Sequence, residues 1–298
     1  MPRIALPGFE AHYEQAGDGP QAVVLVHGNF ASSRWWQDLL DTPPPGLCLY
    51  APDLRGCGRS QQPGEGYEMA QLVRDLEAFA TALELPRFHL VGHSLGGSVA
   101  LAFALDHPER VASLLLVTPG PADGLAQTRD GMLVHLLGTE RIAHWLPDLA
   151  QHRWVLSHVL PHVAPGIGEP LQFARITEDA LATDPRAVSG YLMALAEWNA
   201  LPRLPAYPGR AVVLIGERDP LVPPASLAAT IEALPHVVSV LWTGVGHAPQ
   251  LERPEDFRRL LLATIDGREP EPLQPVALHA AAGGWFHDLA RRLGLGGH

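Results

Sequence analysis

Cysteine and positive charge are both scarce in this chain of 298 residues. Lysine and arginine number 21 against 32 aspartates and glutamates, for a formal net charge of −11. That balance argues against a nucleic-acid surface, because affinity for a phosphate backbone comes largely from Lys and Arg. Cys48 and Cys57 are the only cysteines. They are too few and too close for a disulfide framework or a metal site, and read as reduced, partly buried thiols. No apolar run approaches the length of a membrane span. The first eight residues lack the basic region and apolar core of a secretory signal, so a cytoplasmic protein is expected.

The hydrophobic fraction of 47% is that of an ordinary globular protein. Its apolar residues fall in a rhythm. Residues 22–26, 47–51, 88–91, 111–117, 211–215 and 237–242 are strand-length apolar runs, most of them continuous rather than alternating, as in a parallel sheet covered on both faces. Helix-like segments alternate with them at 34–40, 69–83, 94–105, 224–234 and 254–265. In the second, Leu72, Val73, Leu76, Phe79, Ala80 and Leu83 recur at helical spacing. Residues 4–6 and 12–16 read as an opening hairpin of edge strands. The expected fold class is α/β, a mostly parallel sheet of about eight strands flanked by helices.

The rhythm stops once. Residues 119–205 contain no comparable β-run but five helix-like segments, at 124–137, 139–145, 149–160, 171–182 and 187–200. They read as a helical cap inserted between a core of residues 1–118 and one of residues 206–265. Residues 266–298 form a charged, proline-bearing linker and a helical tail at 278–293. That tail is expected to pack on its own domain or to make a homodimer contact.

Chemistry concentrates in Gly92-His93-Ser94-Leu95-Gly96-Gly97, where an apolar run meets a helix-like segment. Strand, sharp turn and helix around G-x-S-x-G push a serine hydroxyl out at the end of a sheet, next to a helix N-terminus whose free N–H groups favour developing negative charge. A serine hydroxyl is a weak nucleophile at neutral pH and needs a base, and the base needs a fixed tautomer. Asp219, in Gly216-Glu217-Arg218-Asp219, and His247, in Gly246-His247, each follow a later strand run. A parallel sheet delivers such loops to one edge.

His27-Gly28, Gly92-x-Ser94-x-Gly96, Gly216-x-x-Asp219 and Gly246-His247, with Glu252 and Pro254 downstream, together resemble the α/β-hydrolase superfamily, in particular its helical-cap esterase, lactonase and C–C hydrolase branches. Asp53-Leu54-Arg55-Gly56-x-Gly58-x-Ser60 looks like the family's loop after the fourth strand. The resemblance implies Ser94 as nucleophile, His247 as base and Asp219 as the carboxylate that orients it. It implies an oxyanion hole made by the backbone N–H of Leu95 with that of Asn29, Phe30 being the runner-up. Asn29 could also donate through its side chain, as in the similar His-Gly-Asn loop of haloalkane dehalogenases. Those enzymes and the epoxide hydrolases carry aspartate at the elbow, since an ester on a carboxylate can be hydrolysed and an alkyl ether on serine cannot. Ser94 therefore points to acyl transfer.

Glu217 and Asp53 are weaker candidates for the acid. Glu217 comes too early in its loop, and Asp53 is expected to hold Arg55 or a backbone turn. Phe30, His93, Trp145 and Trp198 are candidate pocket residues, with Trp35, Trp36 and Trp154 as further aromatics that line a pocket or fill the core. The expected activity is a serine hydrolase cleaving a carboxylic ester, lactone or thioester through an acyl-enzyme, on a small molecule with a hydrophobic acyl or alcohol group. No metal or organic cofactor is implied. The alternatives are a C–C hydrolase or lyase using the same triad, and a non-catalytic small-molecule binding protein on the same fold.

Overall fold

The computed structural model describes residues 2–124, 153–167, 170–271 and 273. The apolar runs become β3 (Gln21–Val26), β4 (Leu47–Pro52), β5 (Phe88–His93), β6 (Val111–Val117), β7 (Ala211–Gly216) and β8 (Val237–Trp242), preceded by β1 (Arg3–Leu6) and β2 (Phe9–Ala16). They form one eight-stranded sheet in the order β1-β2-β4-β3-β5-β6-β7-β8. Strands β3 to β8 run parallel, and β1 and β2 pair antiparallel at one side. β1 is an edge strand as expected. β2 is not, because it lies between β1 and β4.

Helix α1 (Gln37–Asp41) is shorter than its periodic pattern, its first turn being a tighter 3-10 turn at Ser33–Trp36. Then come α2 (Met69–Ala82), α3 (Leu95–Asp106), α4 (Arg153–Val163), α5 (Pro170–Ala182), α6 (Pro185–Glu197), α7 (Ala228–Ala233), the one-turn α8 (Pro249–Glu252) and α9 (Pro254–Ile265). α4 to α6 lie between β6 and β7 in the chain, where the sequence predicts helices and no strand. The helices expected at 124–137 and 139–145, and the tail helix at 278–293, fall outside the described residues. None of the described helices is long and apolar enough to cross a membrane.

Alternate residues of each parallel strand enter opposite layers, because strand side chains have a period of two. Val24, Val26, Leu90, Leu114, Leu116 and Val213 pack with α2 and α3 through Leu72, Leu76, Phe79, Val99 and Phe103. Val23, Leu25, Val91, Leu115, Val117, Val212 and Leu214 pack on the other face with Leu39, Trp36, Trp242, Phe257, Leu260 and Leu261. A third apolar cluster joins Ala31, Trp35, Ala248 and Leu251 to Leu156, Leu160 and Ile176 of α4 and α5.

β3 has β4 on one side and β5 on the other. The chain therefore changes the direction in which it builds the sheet at this point, and the loops after β3 and β5 leave the same edge and diverge, the usual place for a site in such sheets. Here the backbones nearly touch. A Cβ added at Gly96 would fall on the carbonyl oxygens of Val26 and His27, and one at Gly92 on the carbonyl oxygen of Gly96. Neither glycine has a left-handed φ, so both serve close approach.

Gly96→Ala should therefore cost about 2–3 kcal/mol of stability, since β3 is backbone in a packed sheet and cannot yield. A urea titration measures this, and an unchanged midpoint would show that α3 stands off from β3.

Candidate active site

The elbow is built by backbone constraint. Ser94 has φ 53° and ψ −120°, a left-handed φ that a residue with a Cβ rarely adopts. The turn is held at both ends: Ser94 N–H donates to Val117 O of β6 at 2.9 Å, and Ser94 O accepts from Gly97 N–H at 2.9 Å. Gly28 from the β3 loop packs against it, since a Cβ there would lie 3.0 Å from Ser94 Cβ. Ser94 is half-buried, while Leu95 behind it is buried.

Asp219 lies in the loop after β7 and is 4% exposed. Its Oδ1 accepts from the N–H groups of Leu221 and Val222 at 2.8 and 2.9 Å. Its Oδ2 accepts from His247 Nδ1 at 2.6 Å. This fixes the proton of neutral His247 on Nδ1 and leaves Nε2 as the acceptor, the tautomer a general base requires. Close backbone approach again sets the pairing, because a Cβ at Gly216 would fall on Gly246 O.

His247 meets the elbow through its neighbours. His93 Nε2 donates to His247 O at 2.7 Å, Thr118 Oγ1 donates to the same oxygen at 2.9 Å, and the rings of His93 and His247 are 5.0 Å apart. The structure thus brings the loops carrying Ser94, Asp219 and His247 to one sheet edge. Among the described residues, the Ser94 hydroxyl and His247 Nε2 have no hydrogen-bond partner.

In the loop after β3 the two donor candidates are engaged differently. Phe30 N–H donates to Asn29 Oδ1 at 2.9 Å, and Phe30 itself has φ 58°. Asn29 Nδ2 donates to Val188 O of α6 at 3.3 Å. The Asn29 side chain and the Phe30 N–H are therefore both engaged. Among the described residues the backbone N–H groups of Asn29 and Leu95 donate to no carbonyl outside their own element, which keeps both as candidates for a ligand oxygen.

Asp53 does not pair with Arg55, which instead forms a two-pronged bond with Asp75 at 2.5 and 2.7 Å. Asp53 holds the turn, accepting from the N–H groups of Ser33 and Arg59 at 2.6 and 2.9 Å and from His12 Nδ1 at 2.9 Å. Glu217 accepts from Gly244 N–H at 2.8 Å and so braces the His247 loop. Trp35 stacks on His93, Trp36 fills the opposite core, and half-buried Trp198 packs at the end of α6 with the α2–α3 layer. Trp145 lies outside the described residues. Among those residues no cluster of His, Cys, Asp and Glu has the arrangement of a metal site.

Two contact networks escaped the sequence reading. Glu252 accepts from the N–H groups of Gly246, Ala248 and Gly166; its spacing from His247 is visible, but its partners are not. Burial raises its pKa, those three N–H groups pull it back, and the nearby Asp219 pushes it up. The second is a clamp on α5, where Asp179 accepts from Ser32 Oγ at 2.9 Å and from Arg34 Nε at 2.8 Å. Burial also raises Asp179, against the pull of Arg34.

Residues 21–254 match the family model described as the alpha/beta hydrolase fold. The chain belongs to that family. Among related alpha/beta hydrolases, it is 29% identical over 258 residues to a pimeloyl-[acyl-carrier protein] methyl ester esterase of Yersinia pseudotuberculosis, covering 85% of this chain and 96% of that protein. It is 26% identical over 290 residues to a 2-hydroxy-6-oxo-6-phenylhexa-2,4-dienoate hydrolase of Comamonas testosteroni, covering 86% and 91%. A solved thermophilic esterase from Thermogutta terrifontis superposes with a TM-score of 0.70 at 26% identity, covering 90% of this chain and 98% of that one.

The histidines of this alpha/beta hydrolase generate a pH dependence. Burial lowers the pKa of His27 and takes that of His93 well below the ordinary 6.5, with the charge of His247 adding to the second shift. Their stabilisation is complete above pH 6.5 and is lost as pH falls through the folded values, because the unfolded chain takes up protons first. His93→Gln should lower the slope of unfolding free energy below pH 6.5 by up to about 1.4 kcal/mol per pH unit. Urea titrations at several pH values measure this, and an unchanged slope would contradict a buried neutral His93.

Proposed function

We propose that this alpha/beta hydrolase is a serine hydrolase that cleaves a carboxylic ester, lactone or thioester through an acyl-enzyme on Ser94. The observation that carries the reading is the Asp219–His247 pair, bonded through Nδ1, on the same sheet edge as the left-handed Ser94. In this reading Nε2 takes the hydroxyl proton as Ser94 Oγ attacks the substrate carbonyl, and Asp219 stabilises the imidazolium that forms. The N–H groups of Leu95 and Asn29 receive the oxyanion at the N-terminus of α3. His247 then returns its proton to the leaving group, and water repeats the sequence on the acyl-enzyme.

The two relatives support hydrolysis at a carbonyl, one by its named action on a methyl ester and the other by its named action on a dienoate. The helical insert acts as a cap that selects the acyl or alcohol group. The third apolar cluster, between the β3 and His247 loops and α4 and α5, supports a hydrophobic substrate.

Ser94→Ala should abolish turnover of 4-nitrophenyl esters with the circular dichroism spectrum unchanged. Asp219→Asn should lower kcat by about 10³–10⁴-fold, because the amide favours the wrong histidine tautomer. Near-wild-type turnover by either variant would overturn the mechanism, and faster cleavage of a vinylogous diketone than of any ester or thioester would assign the site to C–C bonds.

A further inference from the structure

The backbone around His247 is held from three directions. Gly246 N–H and Ala248 N–H, on either side of the histidine, both donate to the Glu252 carboxylate, at 3.0 and 3.2 Å. His247 N–H donates to Val163 O, the last residue of α4, at 2.7 Å. His247 O accepts from His93 and Thr118. Gly166, just beyond α4, donates its N–H to the second oxygen of Glu252 at 2.9 Å. One carboxylate therefore joins the loop of the base to the end of a helix in the insert.

Every partner of this carboxylate is a donor. Oε1 receives Gly246 and Ala248, and Oε2 receives Gly166 and Gly246. Glu252 is 7% exposed, and no cationic side chain among the described residues replaces the water it has lost. Glutamine at this position would keep the shape but turn its NH₂ group toward an N–H, leaving one buried donor unpaired. A purely space-filling residue would show no such preference for two acceptor oxygens.

We infer that Glu252 is a positioning residue that sets the reach of His247 toward Ser94 and ties that reach to the placement of α4. This rests on the proposed hydrolase reading. Glu252 sits behind the loop, and its effect on the reaction passes through the His247 peptide. A displacement of α4 by substrate would be transmitted to the base through Val163 O and Gly166 N–H.

The test compares wild type, Glu252→Gln and Gly166→Ala with 4-nitrophenyl acetate, together with amide hydrogen exchange at Gly246 and Ala248. Gly166→Ala retains the carboxylate but sets a Cβ 2.9 Å from Glu252 Cβ and Oε2, so that the Glu252 side chain must shift, and the φ of Gly166 is one alanine accepts. Both variants should lose about 10- to 100-fold in kcat with KM unchanged, the effect of a misplaced base. Exchange at the two amides should accelerate. Wild-type kcat and exchange in a folded variant would overturn the inference, as would a kcat loss that only follows the folded fraction. Should Glu252→Gln fail to fold, Gly166→Ala carries the same test. Accelerated exchange in a protein whose wild type cleaves no ester, lactone or thioester would sink the hydrolase reading and leave the loop-holding role standing.

Discussion

Backbone packed against backbone at the C-terminal edge of the sheet is the constraint on which this site depends. β3, β5 and α3 approach so closely that Gly92 and Gly96 have no room for a side chain. With α3 pressed onto β3, the chain has to reverse direction within one residue, and Ser94 takes the left-handed conformation that this demands. Gly216 against Gly246 repeats the arrangement at the other end of the site and brings the Asp219 and His247 loops into register. The cost in conformational freedom is met by the layered core around β3 to β7, most of whose inward-facing residues are wholly buried.

Charge in the site is handled by backbone amides more than by basic side chains. Asp53, Asp219 and Glu252 are each at most 7% exposed and each accept at least two backbone N–H bonds. Each thereby fixes the shape of a loop: Asp53 the turn between β4 and α2, Asp219 its own turn, Glu252 the loop of His247. The buried histidines His27 and His93 stay neutral and act as directional bolts. His27 donates from Nδ1 to Gly28 O at 2.7 Å and accepts Leu54 N–H at 2.9 Å on Nε2.

Much of this was legible in the sequence, where local pattern and fold agree. Apolar runs without alternation marked the parallel strands because both faces of the sheet are covered, and α9 runs from Pro254 to Ile265 as its periodicity predicts. Asp219 and His247 were readable because loops after parallel strands share an edge. What escaped depends on side-chain rotamers and on contacts distant in sequence. That Phe30 N–H is already bound follows from the rotamer of Asn29. That Asp53 holds Ser33 and Arg59, while Arg55 turns to Asp75, is decided by packing between β4 and α2. The role of Glu252 needs Gly166, 86 residues away. The insert carries no motif that the sequence reading could use.

The central claim is that Ser94 is activated by its surroundings, and covalent labelling tests it most directly. A fluorophosphonate should modify the wild-type protein stoichiometrically at neutral pH, with peptide mapping placing the adduct on Ser94 and no adduct on the Ser94→Ala variant. A protein that resists the reagent, or one labelled at another residue while Ser94 stays free, would contradict the account.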